Sequence, residues 1–106
     1  RYGRRRQVWT GLSPQDLTRE LALAIGYDRL EGVVVAAVQQ GSPGASAGLR
    51  PGDILLRIGD TRLRSTDDLA AAFVDLFVND RVKIRYWRSG RERTTHLTLE
   101  EYPRSR

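Results

Sequence analysis

The chain has 106 residues, 40% hydrophobic and 29% charged, which fits one globular domain and no more. It has no Cys, which excludes disulfides, thiolate metal sites and a cysteine nucleophile, and no run approaches the roughly 20 apolar residues of a membrane span. The net charge of +5 sits on the ends: without Arg1, Arg4, Arg5, Arg6, Arg104 and Arg106 the body holds 12 basic against 13 acidic residues. A charge run of this kind reads as a solvated linker before it reads as a phosphate-gripping arm. There is no Met, so Arg1 is not expected to be a translation start, and the chain reads as a piece of something longer or a processed product. No signal peptide is visible.

Residues 1–7 read as an irregular basic lead-in, after which residues 8–12 turn apolar around Gly11. Leu17, Leu21 and Ile25 recur at the spacing of one helical face, with Asp16 or Thr18 as cap and Gly26 as stop, predicting a helix over 18–25. The β-branched stretch 32–38 predicts a buried strand. Ser42-Pro43 offers an N-cap followed by Pro at the first helical position, for a short turn that stops at Gly48. Pro51-Gly52-Asp53 is a turn signal before a strand over 54–58, and Gly59-Asp60 turns the chain into a short strand over 61–63.

Ser65-Thr66-Asp67-Asp68 has the pattern of a capping box with Asp in the fourth place. Leu69, Ala72, Phe73, Leu76 and Phe77 follow at helical spacing, predicting a helix over 66–77. Residues 81–88 alternate, with Val82, Ile84 and Tyr86 on one face and Lys83, Arg85 and Trp87 on the other. Ser89-Gly90 then turns the chain into a return strand over 92–99 with Leu97 and Leu99 inward, a β-hairpin. Mixed strands, two real helices and a terminal hairpin predict a small α+β domain.

Catalytic chemistry finds no foothold in these residues. His96 is the lone His, on a predicted strand, and no Ser sits in a Gly-x-Ser-x-Gly context. Lys83, the only Lys, lies on an alternating strand with no sign of burial. Asp67-Asp68 suits a helix N-terminus, and Glu100-Glu101 a solvated end. The reading contains no catalytic residue, no metal site and no cofactor. Trp87 with Arg85 and Arg88 could imitate a basic–aromatic face for nucleic acid. Arg supplies 17 of the 18 basic residues, a compositional bias that accounts for such a face without nucleic acid.

Three segments resemble the PDZ family. Gly41-Ser42-Pro43-Gly44-Ala45-Ser46-Ala47-Gly48-Leu49-Arg50-Pro51-Gly52-Asp53-Ile54-Leu55 is similar to the family's most recognisable stretch, in which small residues let a short helix approach the sheet. Trp9-Thr10-Gly11-Leu12 resembles the carboxylate-binding loop, where successive backbone N–H groups hold an anion. The helix from Thr66 resembles one wall of the peptide groove. The resemblance implies a partly open β-barrel or sandwich of five to six strands capped by two helices. It also implies that an extended peptide adds as a strand.

On this reading the N–H groups of Thr10, Gly11 and Leu12 would receive a terminal carboxylate. Trp9, Leu12 and Phe73 would line a pocket for the last side chain, with Ser13, Pro14, Thr66, Ala70 and Phe73 along the groove. One of Arg4 to Arg6 would add long-range attraction. The loop lies at the N-terminal edge with no strand before it, so the final strand is expected to take the place of a first one, the permuted bacterial arrangement.

Residues 15–22 and the lead-in resemble HtrA (Deg)-type serine proteases. That resemblance implies a regulatory or substrate-recruiting module for C-terminal or unfolded polypeptide segments, in cis to an upstream protease domain, in an extracytoplasmic parent. Site-2 and C-terminal processing proteases and secretion components also carry such domains. The implied organisation is a linker over 1–7, the domain over 8–101 and a tail over 102–106. Two residues depart from the family pattern. Thr10 stands at a usually aliphatic position and is expected to loosen the loop. Pro14 has no N–H to give an added strand and is expected to weaken binding.

Overall fold

The computed structural model describes residues 8–103; the predicted lead-in, with Arg4 to Arg6, and the end of the tail lie outside the described residues. The terminal hairpin is the plainest case of local chemistry setting structure. Ser89 (φ 51°) and Gly90 (φ 86°) both take left-handed backbone, the two-residue turn whose twist matches the strands it joins. Strands β6 (Arg81–Arg88) and β7 (Arg91–Thr98) therefore pair in register along their whole length, from Arg88 opposite Arg91 to Arg81 opposite Thr98.

Around this hairpin the chain lays β1 (Val8–Trp9), β2 (Leu12–Asp16), helix α1 (Arg19–Ile25), β3 (Val33–Val38), helix α2 (Pro43–Ser46), β4 (Ile54–Ile58), β5 (Thr61–Arg62), helix α3 (Thr66–Phe73) and a last short strand, β8 (Glu100–Glu101). The main sheet runs β2-β3-β4-β6-β7, with β5 on β4, and every pair is antiparallel. Among the described residues the sheet does not close into a barrel, and β2 has no partner on its outer side.

Alternation along the strands fills two layers. Val33, Val35, Leu55, Ile58, Ile84, Tyr86, Leu97 and Leu99 point to a main core that α3 covers through Leu69. Val34, Ile54 and Trp87 point to the opposite face, where α1 lays Ala22 and the following loop lays Tyr27. The Tyr27 and Trp87 rings meet edge to face, 5.0 Å between centroids. Trp87 is therefore buried, and the basic–aromatic surface it could have formed with Arg85 and Arg88 does not exist.

Arg88 is committed inward as well. Its Nε and Nη2 donate to the two oxygens of Asp53 at 2.8 and 2.7 Å, and Nη2 also donates to the Gly48 carbonyl. Asp53 Oδ2 accepts a third bond from the Arg50 N–H. This carboxylate, 1% exposed, locks the Pro51-Gly52-Asp53 turn to the end of the hairpin.

The local caps predicted from sequence are present at two helices. Thr18 accepts from Leu21 N–H, Gly26 ends α1 in left-handed backbone, and Ser42 accepts from Ala45 N–H with Pro43 at the first helical position. Three expectations change. A two-residue strand, β1, does precede the loop, paired with β8 so that entry and exit of the domain lie side by side. Helix α3 ends at Phe73 and not at 77. There the i−3 bonds Val74 N–H to Ala71 O and Leu76 N–H to Phe73 O tighten the last turn. Asn79 and Asp80 are then drawn onto Leu99, Asn79 N–H donating to its carbonyl and Leu99 N–H to Asp80 O.

The capping box is the third. Ser65 makes no side-chain cap bond. Asp68 accepts from Arg64 N–H, and the Thr66 N–H donates to Asp16 Oδ1 at 2.8 Å, an acceptor on β2 fifty residues away.

Candidate functional site

The loop from Trp9 to Leu12 is held from behind. The Thr10 carbonyl accepts from Gly44 N–H and the Gly11 carbonyl from Gln39 N–H, each at 2.8 Å. In a planar trans peptide the N–H points opposite to the C=O. The N–H groups of Gly11 and Leu12 are therefore turned away from α2 and β3, toward the open side of β2. Gly11 has φ +75°, and a Cβ there would lie 2.1 Å from Ser42 Cβ. The buried cap of α2 thus sits directly beneath the loop, and only glycine fits both the backbone shape and the space.

The same bonds fix the orientation of the strand edge. Gly11 bonds toward β3, so by the period of two Ser13 faces β3 as well, while Leu12, Pro14 and Asp16 turn their backbone groups outward. The register slips between Ser13 and Pro14 because Ala36 is an extra residue on β3; β2 keeps its period. Pro14 stands on an edge strand with its missing N–H on the open side, the one arrangement a sheet tolerates without loss.

Helix α3 lies beside β2; on it Thr66 and Phe73 are half-buried and Ala70 is exposed. Leu12 and Phe73 both pack on the main core. Leu12 also packs on α2, where a Cβ on Gly44 would lie 2.5 Å from its Cδ2. Trp9 takes another course: its indole N–H donates to Gln39 Oε1 at 2.9 Å, and its ring lies 6.4 Å from that of Tyr102. Ser13 and Pro14 lie exposed along β2.

Thr10 behaves opposite to expectation. Its Oγ1 accepts the Leu12 N–H at 3.2 Å, tying the loop across its own mouth and not loosening it. Sequence reading missed this bond, the supports Gln39 and Gly44, and Asp16 as the link between the two walls. Ser42 was legible as a cap but not as the loop's floor.

Other features lead away from catalysis. A concavity of about 780 Å³ lies apart from the groove among Tyr27, Arg29, Leu56, Arg57, Arg62 and Arg85. Its charges are largely paired, Arg62 with Glu31, and Arg85 and Arg29 with Glu92. The hydrogen bond from Arg85 holds the Glu92 carboxyl below its ordinary value. His96 is exposed on β7.

A family model described as PDZ domain matches residues 10–99. The chain belongs to the PDZ domain family. This PDZ domain is 44% identical over 70 residues to "Serine protease Do-like HtrA" of Lactococcus lactis subsp. lactis (strain IL1403), covering 66% of the chain and 17% of that protein. It is 32% identical over 101 residues to "Probable periplasmic serine endoprotease DegP-like" of Marinomonas sp. (strain MWYL1), covering 95% of the chain and 22% of that protein. The solved structure "HtrA-type protease AlgW with decapeptide" superposes with a TM-score of 0.79 at 29% identity, over 94% of the chain and 31% of its own. The PDZ domain thus spans about a sixth to a third of these relatives' lengths.

Proposed function

We propose that the open edge of β2 and the facing side of α3 bind an extended polypeptide segment as an added antiparallel strand. The domain would serve as the regulatory or substrate-recruiting module of an HtrA-type serine endopeptidase in protein quality control. The observation that carries the reading is the loop, whose carbonyls are tied back to Gly44 and Gln39 so that its amides face the unpaired edge of β2, which lies beside α3. Main-chain bonds to β2 supply affinity, and the apolar surface of Leu12 and Phe73 receives a side chain. Thr10, Gly11 and Leu12 form the end of the groove; Ser13, Pro14, Thr66 and Ala70 form its walls. Trp9 supports the loop through Gln39.

The cutting chemistry belongs to an upstream domain in cis, outside residues 1–106. The periplasmic names of the relatives support an extracytoplasmic parent. No helix of the described residues is long and apolar enough to cross a membrane.

The test is an NMR titration of the ¹⁵N-labelled 106-residue chain with short peptides ending in an apolar residue. Shifts concentrated at Gly11, Leu12 and the Thr66–Phe73 face are expected. Shifts confined to other surfaces, or none at millimolar peptide, would overturn the reading.

A further inference from the structure

The end of the groove already holds an oxygen where a ligand's carboxylate would go. Leu12 N–H points to the open side of β2, yet Thr10 Oγ1 lies on it at 3.2 Å. This is a side chain closing on the backbone two residues on, an arrangement that satisfies a donor within the loop itself. The next outward position along the edge is Pro14, which has no donor. Of the three outward residues on β2, Leu12, Pro14 and Asp16, the two nearest the loop therefore offer an incoming strand either a shared N–H or none.

Charge tells the same story. The residues that hold the loop, Gln39, Ser42 and Gly44, are all neutral. A carboxylate arriving here would lose water and gain no cation from these supports, and it would have to displace or share the Thr10 hydroxyl. A neutral main-chain carbonyl has no such demand. The hydroxyl, having accepted from Leu12, keeps its own proton to donate to that carbonyl.

We propose that Thr10 makes this loop indifferent to a free C-terminus, so that the groove takes internal extended segments of a polypeptide as readily as chain ends. The inference rests on the reading of the groove given above and adds the class of segment it prefers.

The test compares one apolar-ended peptide as free acid and as amide, by calorimetry, against the 106-residue chain and its Thr10→Val and Thr10→Ser variants. Wild type is expected to bind acid and amide within about threefold of each other. Thr10→Val keeps the side-chain shape, frees Leu12 N–H for a charge-assisted bond and removes the hydroxyl donor, so it should raise the acid-to-amide affinity ratio by about tenfold. Thr10→Ser, which retains the hydroxyl, should behave as wild type. The Leu12 amide resonance of Thr10→Val should shift upfield in the free protein, a direct sign of the lost bond. A wild-type preference for the acid above tenfold overturns the inference and leaves the groove intact. So does an acid-to-amide ratio unmoved by Thr10→Val. Binding of neither form to any of the three proteins overturns the groove itself, and the inference with it. Should Thr10→Val not fold, the wild-type and Thr10→Ser ratios decide alone.

Discussion

Replacing Asp53 by Ala removes the buried carboxylate that ties the Pro51-Gly52-Asp53 turn to the end of the hairpin. Three hydrogen bonds converge on that carboxylate, two from Arg88 and one from the Arg50 N–H, at 2.7 to 2.8 Å. Asp53 is buried while the Arg88 side chain is 20% exposed, so water can partly rescue the stranded guanidinium. The bond to Asp53 pushes the Arg88 pKa further up, and the guanidinium stays charged when the partner is lost. Breaking a buried pair costs about 3–5 kcal/mol, and the partial exposure puts this one near 3. Domains of this size hold about 5–15 kcal/mol in all, so the loss is severe without being fatal. Urea unfolding followed by the fluorescence of buried Trp87 should show the midpoint falling by roughly 2 M, for a slope of about 1.5 kcal/mol/M. Arg88→Ala should cost a similar amount, and the double variant less than the sum by about 2 kcal/mol. A loss under about 1 kcal/mol for Asp53→Ala, or strict additivity of the pair, would refute the reasoning.

Gly11→Ala should cost about 2–5 kcal/mol, one part for left-handed backbone and one for the contact with Ser42; a melting temperature lowered by less than about 5 °C would contradict it. Pro14→Val restores an outward N–H on β2 and should tighten peptide binding by up to about tenfold in calorimetry, whereas unchanged affinity would remove Pro14 from the account. Burial raises the pKa of Tyr27 above the ordinary 10.0, so the unfolded chain ionises first. The stability tied to this group is complete below about pH 10 and is lost as pH rises toward the folded-state value. Unfolding curves between pH 9 and 11 should therefore slope less steeply for Tyr27→Phe than for wild type; identical slopes would count against burial as the cause.

Most of what depends on neighbours in sequence was readable from it. Thr18, Gly26, Ser42-Pro43 and Ser89-Gly90 act over one to four residues, and each does what its chemistry predicts. The alternation of Val82, Ile84 and Tyr86 likewise set the inner face of the hairpin. Most of the failures share a different trait, which is distance along the chain. Nothing local says that Asp16 will cap the Thr66 N–H while the helix's own Ser65 side chain caps nothing. Nothing near Trp87 says that α1 and Tyr27 will cover the second face and bury it. Helix α3 stops early because residues 79–80 pair with Leu99, a demand invisible in its apolar spacing. At the candidate site the loop was recognisable as a tetrapeptide, but the Thr10 bond is a matter of rotamer, and the supports Gln39 and Gly44 come from the end of β3 and from α2.

The bond between Asp16 and Thr66 gives the cleft a built-in gauge. Helix α3 borrows the acceptor for its first N–H from the opposing strand, so the jaws cannot part at that end without stripping the helix of it. Widening of the cleft and fraying of the first helical turn are then a single event. The Thr66 amide, sealed when the jaws are together and open to water when they are not, reads out the gape of the cleft from within.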